Sequence, residues 1–250
     1  GCSAFHFQRL FAYLAGMPLS EYIRRRRMSL AAADLQAGAR VLDVALRCGY
    51  ASPTAFNRAF RQVHGIPPSQ ARLPGAPLRS YPPIRLQIAV QGGTVLEFRV
   101  EKREAFPILG LCFPLRSHIE ENFRIVPQMW EQAAAEGTLA RLAAQMDGAP
   151  QGLLGVSLCQ DSQPWRYYIA VASSQPPGPW EAYTVPASTW AIFPGRGPAS
   201  GIQQLERRII TEWLPTSGYE YADAPDLEVY QNPDPRNAQY EIWIPVAPKP

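Results

Sequence analysis

The residues best suited to recognition chemistry lie on one face of a short helix that the sequence predicts after Ser52. Ser52 can accept a hydrogen bond from the first turn of this helix, and Pro53 fits its first position. Apolar side chains at helical spacing form the stripe expected to be buried: Ala55, Phe56, Ala59, Phe60 and Val63. The polar side chains left facing outward are Thr54, Asn57, Arg58 and Arg61. Arginine can bond two acceptors of a guanine and asparagine two groups of an adenine, so this face could read DNA bases.

A preceding helix and a tight turn must hold that face in place, and the sequence predicts both. Val41, Val44, Ala45 and Cys48 recur at helical spacing, and Gly49 stands where the turn needs a residue that tolerates positive φ. Two helices joined in this way form a helix-turn-helix, whose second helix enters the DNA major groove. Short helix pairs with tight turns also occur in proteins without a nucleic-acid role, so geometry alone leaves DNA binding open.

Charge divides the chain of 250 residues into a basic first third and an acidic remainder. Residues 1–79 hold 11 Arg against three acidic residues, a net charge of +8, whereas residues 80–250 carry a net charge of −5. This asymmetry favours a polyanionic partner for one part of the chain only. The Pro-rich stretch LPGAPLRSYPP stands at the division. We therefore expect a DNA-binding domain over 1–79, a linker over 80–93 and a second domain over 94–250.

Two more helices are predicted before the helix-turn-helix. The first begins near Ser3, and its apolar stripe consists of Phe7, Leu10, Phe11 and Leu14. Its other face carries His6, Arg9 and Tyr13. The second helix runs from about Leu19 to Ala37 and contains the run Arg24–Arg27. That run could bind phosphates or could be a solvated face with one or two intramolecular pairs. Four consecutive residues point in four directions around a helix, so we expect one or two phosphate contacts.

The segments SAFHFQRLF, EYIRRRRM and LDVALRCGYASPTAFNRAFRQVHGIPPSQAR together resemble the DNA-binding domain of the AraC/XylS family of bacterial transcription regulators. The resemblance covers residues 1–72. It implies two helix-turn-helix units joined by one long helix, with two reading helices in adjacent major grooves of double-stranded DNA. Activation of transcription through contact with RNA polymerase is the commoner mode in this family, while the residues themselves do not distinguish an activator from a repressor. The chain then begins at the first reading helix, and the family's opening helices are expected before Gly1.

The same resemblance supplies the DNA-contacting residues. The candidates for base contact are Ala4, Phe5, Gln8 and Arg9 in the first reading helix, and Pro53, Thr54, Asn57 and Arg58 in the second. Arg24 and Arg27 are the candidates for phosphate contact.

From Thr94 onward the pattern changes to strands that are rich in β-branched and aromatic residues. Helices are predicted near 125–135, 138–146 and 198–213. Strands are predicted at VLEFRVEKR, FPILGLCFPL, GLLGVSLC, WRYYIAVAS, WEAYTV, STWAIFPG, DLEVYQ and AQYEIWIPV. This order of strand–strand–helix–strand–strand, twice, predicts a duplicated α+β domain with a cleft between its halves. The expected fold class is therefore an all-α double helix-turn-helix domain followed by this α+β domain.

The phrases WEQAAAEG, YYIAVAS, PASTWAIFPGRGP, EWLPTSGYEYADAPDLEVY and IWIPV resemble the GyrI-like effector-binding domain over residues 94–247. That resemblance implies a central cleft for hydrophobic, often cationic, small molecules, with Glu228 as its central residue. In DLEVYQ, a period of 2 places Glu228 and Tyr230 on one strand face. A carboxylate among aromatic rings could attract a cation. Glu228 could instead be a solvated carboxylate at a strand edge or pair with an internal arginine, and each aromatic residue could be core. The proposed wall residues are Trp130, Tyr168, Trp190, Phe193, Trp213, Tyr219 and Trp243.

Several classes of function are disfavoured by the sequence. No apolar run approaches the length of about 18–20 residues needed to span a membrane. The 4 Cys and 3 His are scattered, so we predict no metal site, no cofactor, no catalytic residue and reduced thiols in a cytoplasm. The chain is therefore interpreted as a cytoplasmic DNA-binding regulator with a small-molecule effector. The alternatives are a small-molecule hydrolase, with the pocket glutamate as base, and a protein that sequesters toxic cations.

Overall fold

The computed structural model describes residues 3–85, 95–159, 164–198, 200–232 and 237–249. The chain forms two compact units. One consists of residues Ala15–Ala89, and the other combines Gly1–Leu14 with Val90–Pro250. The first fourteen residues therefore belong with the second domain. This differs from the predicted domain 1–79.

The unit of residues 15–89 is helical. Its helices are α2 (Leu19–Gln36), α3 (Val41–Arg47), α4 (Pro53–His64) and α5 (Pro68–Ala71). The turn between α3 and α4 contains Gly49 with a φ of 79°, as its position in the sequence predicts. The Ser52 hydroxyl accepts a hydrogen bond of 3.1 Å from the Ala55 amide at the start of α4. The core of the unit joins all four helices through Met28, Leu35, Val44, Ala45, Phe56, Phe60, Val63 and Ala71.

The Pro-rich stretch packs against this helical unit. The amide of Tyr81 donates a hydrogen bond of 2.9 Å to the Ser29 hydroxyl, and Arg26 donates to the Tyr81 carbonyl. The amide of Arg79 donates to Nδ1 of the buried His64, whose Nε2 lies 3.0 Å from the Met28 carbonyl. Residues 80–85 are thus attached to the helices, contrary to the linker expected there. The rest of that predicted linker, residues 86–93, lies outside the described residues.

The other unit is built on a twisted antiparallel sheet. Among the described residues its strands are β1 (Arg99–Arg103), β2 (Phe106–Pro114), β3 (Leu153–Leu158), β4 (Arg166–Ala172), β5 (Glu181–Val185), β6 (Ser188–Gly197), β7 (Tyr219–Tyr221), β8 (Asp226–Asn232) and β9 (Ala238–Pro248). Their order is β1-β6-β9-β8-β3-β4-β2-β5, with β7 paired to β9. If β1 is exchanged with β5, β2 with β6, β3 with β8 and β4 with β9, the same order is obtained in reverse. The sheet therefore has the twofold arrangement that the predicted duplication requires, with β3 and β8 at its centre.

The two faces of the sheet carry different cores. One face buries Tyr168, Trp190, Leu227 and Trp243 in a single cluster. The opposite face carries two clusters, one around Tyr167 and Ile169 and the other around Phe193, Trp213, Ile242 and Ile244. Neighbouring residues of a strand point to opposite faces, which explains why Tyr167 and Tyr168 belong to different clusters.

Helices cover the face that carries two clusters. They are α6 (Ile119–Ala135) and α7 (Thr138–Ala143) in the first half, and α8 (Ser200–Arg208), the π-helical turn Ile209–Trp213 and α9 (Leu214–Thr216) in the second. Helix α1 (Ala4–Ala15) packs with the same unit over residues 4–14. Phe5 of α1 joins Ile119 and Cys159 in a small buried cluster, and its ring lies edge-on to Trp165 at 5.2 Å.

Candidate functional site

A cavity of about 350 Å³ lies at the centre of the sheet, on the face that the helices cover. Its floor is formed by β3, β4 and β8, and its walls by α6, α8 and α1. Most of its lining is apolar or aromatic, and three of its side chains are acidic: Glu131, Glu206 and Glu228. The apolar and aromatic part includes Phe5, Ile119, Phe123, Val126, Trp130, Leu139, Tyr167, Ile202 and Tyr230. A cavity of this volume with few polar groups is typical of a site for a small organic molecule.

Glu228 lies on the cavity floor and is held by hydroxyl groups. The Tyr230 hydroxyl donates a hydrogen bond of 2.7 Å to Glu228 Oε2, and the Tyr167 hydroxyl donates to the same oxygen at 3.3 Å. Nε1 of Trp130 donates to the Tyr167 hydroxyl at 2.9 Å. Within the described part of the chain, Glu228 forms no ion pair. The carboxylate is therefore oriented by neutral donors and faces a space lined by rings.

Gly155 makes room for this arrangement. Gly155 pairs with Glu228 across β3 and β8, and directly paired residues of antiparallel strands point to the same face. A Cβ atom on Gly155 would lie 2.2 Å from the Tyr167 hydroxyl oxygen and 2.9 Å from Glu228 Oε2. Both distances are below van der Waals contact. A glycine at this position is therefore needed for Tyr167 to reach the carboxylate.

Burial, and after it the charge of the neighbouring Glu206, raise the pKa of Glu228 from 4.5 to about 7. The hydroxyls of Tyr230 and Tyr167 and the charge of Arg9 act in the opposite direction. The pKa values of Tyr167 and Tyr230 are themselves raised, chiefly by burial, so both hydroxyls stay protonated and can donate. Near neutral pH a cation entering the cavity would shift Glu228 to its charged form.

Two further carboxylates, those of Glu206 and Asp226, are paired with the guanidinium of Arg9. Arg9 of α1 is 4% exposed, and it lies 2.6 Å from Glu206 Oε1 and 2.8 Å from Asp226 Oδ2. The Tyr13 hydroxyl donates to Glu206 at 3.1 Å, and His6 Nε2 lies 3.5 Å from Asp226. Burial alone would raise the pKa of Asp226, but His6 and Arg9 hold it below its ordinary value. The helix α1 thus places its polar face on two buried carboxylates.

The structure places some of the predicted wall residues at this cavity and the others elsewhere. Glu228 and Trp130 line the cavity. Tyr168, Trp190 and Trp243 are buried on the opposite face of the sheet, because the strand alternation turns them away from Glu228. Phe193, Trp213 and Tyr219 pack in the core beneath the second half's helices. These six aromatic residues are core residues in this structure.

Four residues of the site were not among the predicted wall residues: Tyr167, Glu206, Asp226 and Tyr230. Tyr230 could have been chosen, because the alternation in DLEVYQ places it on the same face as Glu228. Tyr167 differs from the selected Tyr168 by one position, and only the strand pairing shows which of the two reaches the cavity. Glu206 and Asp226 carry no local signal, since their partner Arg9 is 217 residues away from Asp226 along the chain.

The predicted reading face of α4 is exposed. Thr54, Asn57, Arg58 and Arg61 are all exposed, and among the described residues none of them has a side-chain partner. Pro53 at the first position of the helix is exposed as well. Ala55, which the apolar stripe was expected to include, is also exposed, whereas Phe56, Ala59, Phe60 and Val63 are buried.

The other DNA-binding candidates have mixed surroundings. Arg24 pairs with Glu21 and also donates a hydrogen bond of 3.0 Å to Gln62, which agrees with the intramolecular alternative for the arginine run. No hydrogen bond or ion pair of the Arg27 side chain is found within the described residues.

On α1, Phe5 and Arg9 are buried, and Ala4 is exposed. Gln8 donates a hydrogen bond to the Ser117 carbonyl at 3.3 Å and accepts one from the Ile119 amide at 3.4 Å. In this arrangement α1 does not present Phe5, Gln8 and Arg9 to DNA.

Comparison with known proteins defines the class to which these two units correspond. Residues 96–247 match the GyrI-like small molecule binding domain, and the chain belongs to this family. Residues 1–73 match a helix-turn-helix domain. The combination is that of an AraC-type helix-turn-helix regulator with a GyrI-like domain, and both resemblances seen in the sequence are confirmed.

Two relatives show how the match is distributed along the chain. The chain is 45% identical over 74 residues to the HTH-type transcriptional activator AarP of Providencia stuartii. That match covers 29% of this chain and 55% of AarP, so the chain spans about half the length of this relative. The chain is also 24% identical over 267 residues to the Right origin-binding protein of Escherichia coli K12, which covers 98% of this chain and 89% of that protein.

The fold of the second unit is shared with solved structures. The structure of SAV2435 bound to tetraphenylphosphonium has a TM-score of 0.53 at 20% identity, over 61% of this chain and 94% of that one. A putative bacterial transcription regulation protein from Staphylococcus aureus MU50 has a TM-score of 0.51 at 20% identity, over 61% and 99% of the two chains. These likenesses confirm the duplicated α+β fold.

A membrane-spanning helix and a metal-binding cluster are both absent from the described residues. None of the helices there is both long and apolar enough to cross a membrane. Over the same residues, no group of three or more His, Cys, Asp or Glu side chains is arranged to hold a metal ion.

Proposed function

We propose that this protein is a DNA-binding transcription regulator whose GyrI-like unit binds a lipophilic organic cation, with Glu228 as its counter-charge. The observation that carries the proposal is a carboxylate that lies on the floor of an aromatic cavity and has no ion-pair partner among the described residues. An ionised carboxylate in such a place is costly unless a cation compensates it. The raised pKa of Glu228 reflects that cost.

The cavity suits a particular chemical class of ligand. Its rings, including Trp130, Tyr167 and Tyr230, could contact apolar groups and add cation–π attraction to a positive charge. A strongly hydrated ammonium would lose water without regaining enough hydrogen bonds, since the two hydroxyls at Glu228 are neutral donors to its carboxylate. A delocalised or shielded cation with aromatic substituents avoids that penalty. The fold likeness to a protein bound to tetraphenylphosphonium makes this compound a suitable first probe.

DNA recognition is assigned to α4, with Asn57 and Arg58 as base-reading residues. Their exposure, their lack of partners among the described residues and the capped start of the helix support this assignment. The exposed Thr54 and Pro53 are adjacent and could add apolar or hydroxyl contacts. We assign phosphate contact to Arg27 in preference to Arg24, because Arg24 is held by Glu21 and Gln62.

The decisive experiment titrates the full chain with tetraphenylphosphonium at pH 8 and compares wild type with Glu228→Gln. The variant keeps the size of the side chain and removes its charge. Loss of a desolvated charge partner should weaken binding by about 30-fold, or about 2 kcal/mol. Equal affinities would remove Glu228 from the site, and no binding by wild type would overturn the proposed ligand class.

A matched control is available at the rim of the same cavity. Glu131 lines the cavity but is exposed to solvent. Because a solvated carboxylate contributes little to an ion pair, Glu131→Gln should change the affinity by less than about threefold. A loss equal to that of Glu228→Gln would point to a general charge effect.

The binding should also depend on pH in a defined direction. With a pKa of about 7, Glu228 is mostly protonated at pH 6 and mostly ionised at pH 8. The cation binds the ionised form, so wild-type affinity should rise about tenfold from pH 6 to pH 8 as the carboxyl loses its proton. Glu228→Gln should show a flat profile, and calorimetry in buffers of different ionisation enthalpy should detect proton release in wild type only.

The direction of regulation is proposed to be activation through contact with RNA polymerase. The match to AarP, which is named as a transcriptional activator, supports this direction. A reporter placed behind a DNA site selected by the chain should gain transcription when the cation is added. A decrease instead would identify a repressor. DNA binding without any effect on transcription would favour a sequestering role.

A further inference from the structure

We propose that α1 is an exchangeable element, held at the cavity by Arg9 and released for DNA contact when a lipophilic cation enters. This inference rests on the proposed cation site and adds its regulation. The helix α1 contributes to the cavity wall through the side chains of Phe5 and Arg9. Any molecule that fills the cavity must therefore contact α1.

The charges explain why a cation in particular would disturb the helix. Arg9 supplies the positive charge between Glu206 and Asp226. Glu206 also lines the cavity and acts electrostatically on Glu228. A second positive charge bound at Glu228 would repel the guanidinium of Arg9 and would attract Glu206 in its place. A neutral molecule of the same shape would produce neither effect.

The contacts of α1 show that docking and DNA reading exclude each other. By resemblance, the base-contacting residues of this helix are Phe5, Gln8 and Arg9. In the structure, Phe5 packs on Trp165, Gln8 bonds Ser117 and the Ile119 amide, and Arg9 is buried in its ion pairs. The same three side chains cannot serve both partners at once. Occupation of the cavity and occupation of DNA by α1 are therefore linked through one helix.

The surface of α1 is consistent with an element that leaves its site. Phe7 and Leu14 remain 48% exposed while the polar face is buried. The docked helix is held by the buried Phe5, by stacking of His6 on Tyr221 and of Tyr13 on Phe123, and by the ion pairs of Arg9. Of these contacts, the ion pairs are sensitive to a competing charge.

Hydrogen–deuterium exchange on the full chain tests the release directly. The amides of residues 4–14 should be protected in the free protein. Saturating tetraphenylphosphonium should increase their exchange by at least tenfold, whereas uncharged triphenylphosphine oxide should leave it unchanged. The variant Glu206→Gln with Asp226→Asn should expose α1 without any ligand, since it removes both partners of Arg9 and keeps all DNA-reading side chains.

A gel shift with a duplex selected by the chain from a random-sequence pool gives the functional readout. The cation should raise wild-type affinity for this duplex by at least fivefold. The double variant should bind at the raised level with or without the cation. Because it also loses two negative charges, its control is Glu136→Gln with Glu181→Gln, which neutralises two exposed carboxylates away from α1 and should behave like wild type.

The outcomes separate this inference from the proposed function. If calorimetry shows that tetraphenylphosphonium binds while residues 4–14 stay protected, the release of α1 is wrong and the cation site stands. If the cation does not bind at all, both proposals fail. If the double variant leaves α1 protected, Arg9 is not what holds the helix, and the inference is overturned whatever the ligand does.

Discussion

The helices α1 and α4 are both reading helices by resemblance, but they are used in opposite ways in this structure. In α4 the apolar stripe is buried, and Asn57 and Arg58 are exposed and unpartnered among the described residues. In α1 the polar face is buried through Arg9, and the apolar Phe7 and Leu14 are about half exposed. Hydrophobic periodicity therefore identified the buried face of one helix and failed for the other.

The difference lies in what each helix packs against. The partners of α4 are neighbouring apolar helices of the same short segment, so local pattern and packing agree. The partners of α1 are two carboxylates on distant parts of the chain. An arginine placed between Glu206 and Asp226 satisfies charges that would otherwise be buried alone. A face chosen by such distant charges cannot be recognised from the helix's own sequence.

The substitution Arg9→Ala should have the largest effect, which is the loss of α1 from its docked position. If α1 stayed docked, its buried polar face would not be what distinguishes it from α4. Removing one partner of a buried ion pair costs about 3–5 kcal/mol, because the remaining charges stay unpaired. We therefore expect the exchange protection of residues 4–14 to be lost while the strands at the centre of the sheet keep theirs. Hydrogen–deuterium exchange with peptide resolution measures both.

The control for Arg9→Ala is Phe7→Ala on the exposed part of the same helix. This change should leave the protection of α1 within about twofold, since surface substitutions usually alter stability by less than about 0.5 kcal/mol. Similar losses for the two variants would show that helix formation, and not the ion pairs, holds α1 in place.

The substitution Arg58→Ala should leave the fold stable and weaken DNA binding. Its side chain has no partner among the described residues, so thermal stability should stay within experimental error. Specific DNA binding should weaken by about 1–3 kcal/mol, with relaxed preference at one base position. Competition between selected and random duplexes measures the effect.

Arg40→Ala provides the control for Arg58→Ala. Arg40 is an exposed arginine of the same unit, paired with Asp43. Its loss should lower binding to selected and random DNA in equal proportion, if it lowers it at all. An unchanged specificity ratio for Arg58→Ala as well would make the assignment of the reading helix wrong.

The smallest predicted effect concerns the start of α4. Ser52→Ala removes the acceptor for the Ala55 amide and should cost about 1 kcal/mol. For a unit of this size that corresponds to a fall in Tm of roughly 4–8 °C. Ser80→Ala, an exposed serine in the attached Pro-rich stretch, should leave Tm unchanged. A larger loss for Ser80 than for Ser52 would contradict the cap as the determinant of the helix start.

The sequence was sufficient for features that depend on neighbours along the chain. It predicted the turn at Gly49, the cap at Ser52, the succession of strands and helices along the duplicated unit and the face shared by Glu228 and Tyr230. It was insufficient wherever two distant segments meet. Choosing Tyr167 over Tyr168 requires the register of β4, and choosing Arg9 as the partner of Asp226 requires the packing of α1 on the sheet. The Pro-rich stretch was misjudged because its composition does not show that Tyr81 packs on α2.

The pair of Gly155 and Glu228 is the middle one of five residue pairs between β3 and β8, where the two halves of the duplicated unit meet. Two identical halves would place the same residue at both positions. Two glutamates there would repel each other, and two glycines would leave the cavity without a charge. The site therefore requires that the halves differ at this position. Departure from internal symmetry at this pair gives a symmetric sheet a single central carboxylate, which would let the proposed cation bind in one orientation.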